Sequence, residues 1–345
     1  MSRLATSLLT IPLVAALAAC ASSAESPGAY PQVGSVTRYE PALDAVIAAD
    51  ARIERLADGF TWAEGPAWIE DGGYLLFTDV PQNRIHRWSE ADGLSVFLEP
   101  SGYDGPPTDV LREAGANGLY AEPEGTVLLA DSGSRVVARL DPATKRKTTL
   151  ADAFEGKRFN SPNDVIRRSD GTLFFTDPPY GLKGLDDSPV KELAFNGVYR
   201  LDPDGRVHLL DDGLSFPNGL ALSPDERTLY VANSDPARPV WMAYTLDASG
   251  AVQERRVFAD ASDLVGDEAP GLPDGMTVAA DGTVLATGPG GVLVFAPDGA
   301  RLGRIETGSA VANVAFGDDG RTLYLASDSF VARVRLKIAG PATPR

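Results

Sequence analysis

The stretch Asp170-Gly171-Thr172-Leu173-Phe174-Phe175-Thr176-Asp177 decides the fold: a turn dipeptide feeds a β-branched and aromatic run that stops at small polar residues. Its weight comes from repetition. The same device stands upstream at Asp71-Gly72-Gly73-Tyr74-Leu75-Leu76-Phe77-Thr78-Asp79 and Glu124-Gly125-Thr126-Val127-Leu128-Leu129-Ala130-Asp131. Downstream it recurs as Asp225-Glu226-Arg227-Thr228-Leu229-Tyr230-Val231-Ala232-Asn233, Asp281-Gly282-Thr283-Val284-Leu285-Ala286-Thr287 and Asp319-Gly320-Arg321-Thr322-Leu323-Tyr324-Leu325-Ala326-Ser327. The copies lie roughly 40–55 residues apart, the period of a four-stranded propeller blade. Working outward, a second strand and a hairpin follow, as in Gly197-Val198-Tyr199-Arg200-Leu201 turning at Asp202-Pro203-Asp204-Gly205. The pattern predicts an all-β, six-bladed β-propeller, with a strand between about residues 44 and 60 closing the ring against the last blade.

A short strand with a polar head precedes each copy. The heads are Glu64, Asn117, Asn163, Asn218, Asp274 and Asn313. Taken singly, an Asn-Gly or Asp-Gly pair reads as a turn before an inner strand; Glu64-Gly65-Pro66 is a poor turn choice. Taken together, equivalent positions of successive inner strands converge on the propeller axis. A ring of carboxylate and amide oxygens there suits a hard cation of the calcium type. Zinc asks for imidazole or thiolate, and the only histidines, His86 and His208, fall inside strand patterns.

Composition narrows the partners. The 345 residues carry 31 Lys and Arg against 48 Asp and Glu, a formal net charge of −17, with no basic stripe, which argues against nucleic acid. At the N-terminus Arg3 precedes an apolar run closed by Leu17-Ala18-Ala19-Cys20, which resembles a lipobox. Residues 1–19 are therefore expected to be a lipoprotein-type signal peptide and residues 20–42 a flexible tether, with the propeller over residues 43–340. Cys20, the single cysteine, is the expected lipidation site, so the product is exported to the periplasm and meets the membrane only through its lipid. Oligomeric state is left open.

The ordered motifs Ala63-Glu64-Gly65-Pro66-Ala67-Trp68, Asn160-Ser161-Pro162-Asn163-Asp164-Val165, Thr176-Asp177-Pro178-Pro179-Tyr180-Gly181, Phe216-Pro217-Asn218-Gly219-Leu220 and Pro273-Asp274-Gly275-Met276 closely resemble the gluconolactonase branch of the senescence marker protein (regucalcin)/gluconolactonase-like family. The resemblance runs from about Leu43 to the end. It implies one divalent metal in the channel, most simply Ca2+, with Zn2+, Mn2+ or Fe2+ as alternatives, held by Glu64, Asn163, Asn218 and Asp274. It assigns the general base to Asp274, with Asp164 as second candidate, and points to Arg158 or Asn160 near the substrate; Asn163 and Tyr180 are further candidates to bind it. One departure is Asp131-Ser132-Gly133-Ser134-Arg135, where many gluconolactonases carry a His.

The implied chemistry is metal-dependent opening of a sugar lactone to an aldonic acid, with a carboxylate taking the proton of the attacking water. Arg135 and the loop over residues 103–115 are further candidates to hold sugar hydroxyls, and the loop over residues 181–196 is a candidate lid. A serine nucleophile is disfavoured, since no Gly-x-Ser-x-Gly elbow and no suitable His is present. Two rivals remain: a phosphotriesterase or aryl esterase on the same metal site, and a non-catalytic propeller that binds a partner by its top face.

Overall fold

Each repeat copy is the second strand of an antiparallel blade in the computed structural model, which describes residues 30–266 and 268–341. Blade 1 runs Ala63–Ile69, Tyr74–Asp79, Arg84–Ser89, Gly93–Leu98, and blade 2 runs Leu119–Ala121, Val127–Asp131, Val136–Leu140, Lys147–Ala151. Blade 3 comprises Val165–Arg167, Leu173–Asp177, Gly197–Leu201 and Val207–Asp211. Blade 4 comprises Pro217–Leu222, Thr228–Asp235, Arg238–Leu246 and Val252–Asp260. Blade 5 is Met276–Val278, Val284–Gly288, Gly291–Phe295 and Arg301–Glu306; blade 6 is Asn313–Gly317, Thr322–Ser327 and Phe330–Arg335. The sixth blade takes its outer strand, Ile53–Asp58, from the other end of the propeller, with Ile53 opposite Val334 and Asp58 opposite Phe330. The ring closes where the sequence predicts.

The second strands read as unbroken apolar runs because both of their faces are buried. Phe175 packs towards blade 2 with Leu128 and Val137, while its neighbour Phe174 packs towards blade 4 with Leu229 and Val231. The core is therefore a set of layers between neighbouring blades. Between blades 1 and 6, Trp68 stacks on Tyr324 with centroids 5.3 Å apart.

The expected tether is shorter than residues 20–42. Ser35–Arg38 adds a fifth strand to blade 5, with Val36 opposite Ile305. Leu43, Val46 and Ile47 then bury against Leu302, Ile305, Val334 and Leu336. Four apolar side chains, Val36 among them, give this stretch a face to bury that its small and polar neighbours conceal. The signal segment and Cys20 lie outside the described residues. No helix among the described residues is long and apolar enough to cross a membrane.

The antiparallel alternation positions the site. Inner strands begin, second strands end and third strands begin at one end of the ring. The polar heads, the 178–196 loop of blade 3 and the 99–116 connection from blade 1 to blade 2 therefore gather there.

Candidate active site at the propeller axis

Glu64, Asn117, Asn163, Asn218 and Asn313 are all buried, and Asp274 is partly so. The pairs Asn117-Gly118, Asn218-Gly219 and Asp274-Gly275 are not turns, since none of these glycines has a left-handed φ. Glycine is there for space. A Cβ on Gly118 would stand 2.3 Å from Asp164 Oδ1, one on Gly219 2.4 Å from the Asp274 carbonyl oxygen, and one on Gly275 2.0 Å from Asn313 Cγ. Each inner strand leans on the head of the next blade. In blade 3 the glycine slot holds Asp164, which brings a further carboxylate to the axis.

Hydroxyls at the ends of second strands hold this arrangement. Thr78 Oγ1 donates to the Asn117 carbonyl at 3.0 Å, and Thr176 Oγ1 to the Asn218 carbonyl at 2.7 Å. Ser132 Oγ donates to Pro162, just before Asn163, at 2.6 Å, and Ser234 Oγ donates to Pro273, just before Asp274. Thr287 Oγ1 does the same to Ala312, just before Asn313, at 3.1 Å.

The electrostatics of the ring are one-signed. Burial pushes Glu64 up to about 8, with the Asp164 charge adding to the effect and the Gly65 N–H, 2.7 Å from Oε2, opposing it. Burial raises Asp164 to about 7, although its oxygens accept from Val165 N–H at 2.9 Å and Leu220 N–H at 3.2 Å. Asp274 is pushed well above the usual carboxylate range by burial, then by Glu64 and Asp164. Its Oδ1 is buried without a hydrogen-bond partner, as is Oδ1 of Asn117. No group of three or more His, Cys, Asp or Glu among the described residues forms a metal cluster by itself. The donor set is instead carboxylates mixed with amides, all oxygen. It fits a hard cation, which would supply the counter-charge that the channel wall lacks.

At the mouth, two loops are tied together. Leu111 bridges Leu182, Arg112 N–H donates to Gly181 at 2.8 Å, and Lys183 N–H donates to Val110 at 2.9 Å. The start of the 181–196 segment is thus hydrogen-bonded to the 103–115 loop. Tyr180 stacks on Phe216 at 5.6 Å, and burial followed by the Asp274 charge keeps its hydroxyl protonated. Glu113, raised by burial, adds its charge to those acting on Glu64, Asp274 and Tyr180.

The structure brings Glu64, Asn163, Asn218, Asp274, Asp164 and Tyr180 to one end of the channel. Arg158 and Asn160 lie in the connection from blade 2 to blade 3, at the same end of the ring. Arg158 is exposed on the hairpin Ala153–Phe154/Lys157–Arg158, with Nη2 donating to the Ser134 carbonyl at 2.8 Å. Asn160 is fully buried, and its Nδ2 is shared among Asp177 O, Phe195 O and Asn196 Oδ1. Its sequence neighbour Ser161 and the Asp177 carboxylate complete that scaffold. Arg135 is buried too, its Nε donating to the carbonyls of Phe159 and Asn160. Sequence reading did not single out Glu113 or the strand-end hydroxyls. The hydroxyls were visible as the small polar residues ending each copy, but their partners lie in the next blade.

The profile of the SMP-30/Gluconolactonase/LRE-like region matches residues 62–329, from just before the inner strand of blade 1 into blade 6. The chain belongs to this family. It is 45% identical over 312 residues to a gluconolactonase of Zymomonas mobilis, covering 89% of this chain and 88% of that one. It is 30% identical over 267 residues to the pentonolactonase XacC of Haloferax volcanii, covering 76% and 80%. Among solved structures, a gluconolactonase of Xanthomonas campestris superposes with a TM-score of 0.75 at 33% identity, covering 89% of this chain and 98% of that one.

Proposed function

We propose that this protein is a lactonase that opens sugar lactones to aldonic acids at the channel mouth. The observation that carries the reading is the convergence of Glu64, Asp164 and Asp274 on one axis, with Asp274 Oδ1 unpartnered. It occurs in a chain 45% identical to a gluconolactonase. A non-catalytic scaffold has no need of such an arrangement.

Glu64, Asn163, Asn218 and Asp274 would hold the cation, and the oxygen-only set favours Ca2+. When bound, it polarises the lactone carbonyl and stabilises the charge that builds on that oxygen. Asp274 is the better base of the two candidates. Both oxygens of Asp164 are occupied by backbone N–H groups, whereas Asp274 has a free one. Asp274 takes a proton from water as the water oxygen adds to the carbonyl carbon; the ring C–O bond then breaks, and the proton held by Asp274 passes to the ring oxygen to give the alcohol. Tyr180, held neutral, donates to a sugar hydroxyl, and Glu113 accepts from one. The decisive assay is acid release from glucono-, galactono- and xylonolactone, with spontaneous hydrolysis subtracted, in chelator and after metals are restored. No chelator-sensitive turnover of any lactone refutes the reading.

Export with acylation of Cys20 is part of the proposal, on the lipobox-like Leu17-Ala18-Ala19-Cys20. Membrane-fraction recovery that Cys20→Ser abolishes supports it; unchanged partitioning counts against it.

A further inference from the structure

Ser234, near the end of the second strand of blade 4, is buried against two ring members. Its hydroxyl donates to the carbonyl of Pro273, and Asn218 Nδ2 donates to its Oγ at 2.8 Å. A carbonyl oxygen only accepts, so the one hydroxyl proton is committed to Pro273. Oγ then offers lone pairs, and of the two ends of the Asn218 carboxamide only the N–H can meet them. The Asn218 carboxamide is therefore held with its nitrogen against blade 4 and its Oδ1 turned the other way. The Tyr180 hydroxyl also lies against Ser234. In blade 2 the equivalent Ser132 pins only a backbone carbonyl, that of Pro162. Ser234 does both jobs.

We propose that Ser234 is a positioning residue that sets the oxygen of Asn218 towards the axis while anchoring the segment that carries Asp274. A hard cation needs an amide oxygen, and a carboxamide free to flip presents nitrogen as readily. The inference rests on the reading of Asn218 and Asp274 as cation ligands.

The test titrates Ca2+ alone, without substrate, into chelator-stripped wild-type, Ser234→Ala and Ser234→Thr proteins by calorimetry. The Kd of Ser234→Ala rises about tenfold or more, and Ser234→Thr, which keeps the hydroxyl, returns to within about threefold of wild type. Equal Kd values for wild type and Ser234→Ala overturn the proposal. If wild type binds none of Ca2+, Mn2+ and Zn2+, the cation reading itself falls and takes this inference with it, a failure visible before any variant is compared. A measurement on wild type alone guards against a variant that does not fold. With 15N-asparagine labelling, the Asn218 side-chain amide, identified by its absence in Asn218→Asp, exchanges slowly in metal-free protein and persists when Ca2+ is added. Fast exchange overturns the proposal as well.

Discussion

Gly118→Ala separates glycine as a turn residue from glycine as a gap in the channel wall. Gly118 has no left-handed φ, so its backbone accepts alanine without torsional strain. The obstacle is space: a Cβ would stand 2.3 Å from Asp164 Oδ1, 2.8 Å from Asp164 Cα and 2.9 Å from the Asn163 carbonyl oxygen. Ordinary contact begins at 3.4 Å, so the tightest approach is short by 3.4 − 2.3, or 1.1 Å. Two of the three atoms are backbone and cannot swing aside. Overpacking of this kind costs about 1–3 kcal/mol, a fall in Tm of order 5 °C for a domain this large. The displaced group is the head of blade 3, and a shift of about 1 Å at a reacting centre costs about 10²-fold in rate. The control is Gly125→Ala, at φ 87° with nothing within 4 Å, where the penalty is backbone strain alone. It lowers stability by about 1–2 kcal/mol and leaves kcat unchanged. Both variants are followed by thermal denaturation and lactone acid release. If Gly118→Ala keeps wild-type kcat and Tm, or if Gly125→Ala loses as much activity, the close-packed channel is refuted.

Asp274→Asn lowers kcat by about 10²–10⁴-fold as expected for a lost general base, and Asp164→Asn, whose oxygens are already engaged, lowers it less; the reverse ranking in steady-state kinetics reassigns the base. Burial raises Asp177 to about 7 from 3.8, so the folded state keeps a proton that the unfolded chain has released between those values. That contribution is complete below about pH 4 and is lost as pH rises through about 7. In chelator, the Tm of Asp177→Asn accordingly falls less steeply than wild type from about pH 5 to about pH 8, and calorimetry giving identical slopes rejects the cause. Glu113→Gln at the mouth raises KM more than it lowers kcat, because the group accepts a sugar hydroxyl and takes no part in proton transfer. A pure kcat effect would place it in the chemistry instead.

How much was legible in the sequence differs by element. Strand order and blade count follow from local signals, since a turn dipeptide and an apolar run act within ten residues of each other. The heads were legible because equivalent positions in a repeat share one place in space. Asn160 sits in the same motif as Asn163, three residues away, with its Nδ2 engaged by Asp177, Phe195 and Asn196 and its Oδ1 buried without a partner. The strand over residues 35–38 was hidden by its composition, Ser-Val-Thr-Arg, because a fifth strand buries only part of its surface. Glycine gave the right positions for the wrong reason: a dipeptide shows that a side chain is missing, and only the neighbouring blade shows why.

The mixture of amides and carboxylates at the axis follows from the same geometry. Burial disfavours charge on Glu64, Asp164 and Asp274, and the Asp164 charge raises Glu64 further while both raise Asp274. Further carboxylates at positions 117, 163, 218 and 313 would add repulsion that a single divalent ion cannot neutralise. Asparagine offers oxygen without charge, so amide heads can add donors for a hard cation without adding to that repulsion. An amide, unlike a carboxylate, has a wrong way round. The neutral heads are therefore the ones that need a partner to fix their orientation, and Ser234 gives Asn218 that partner.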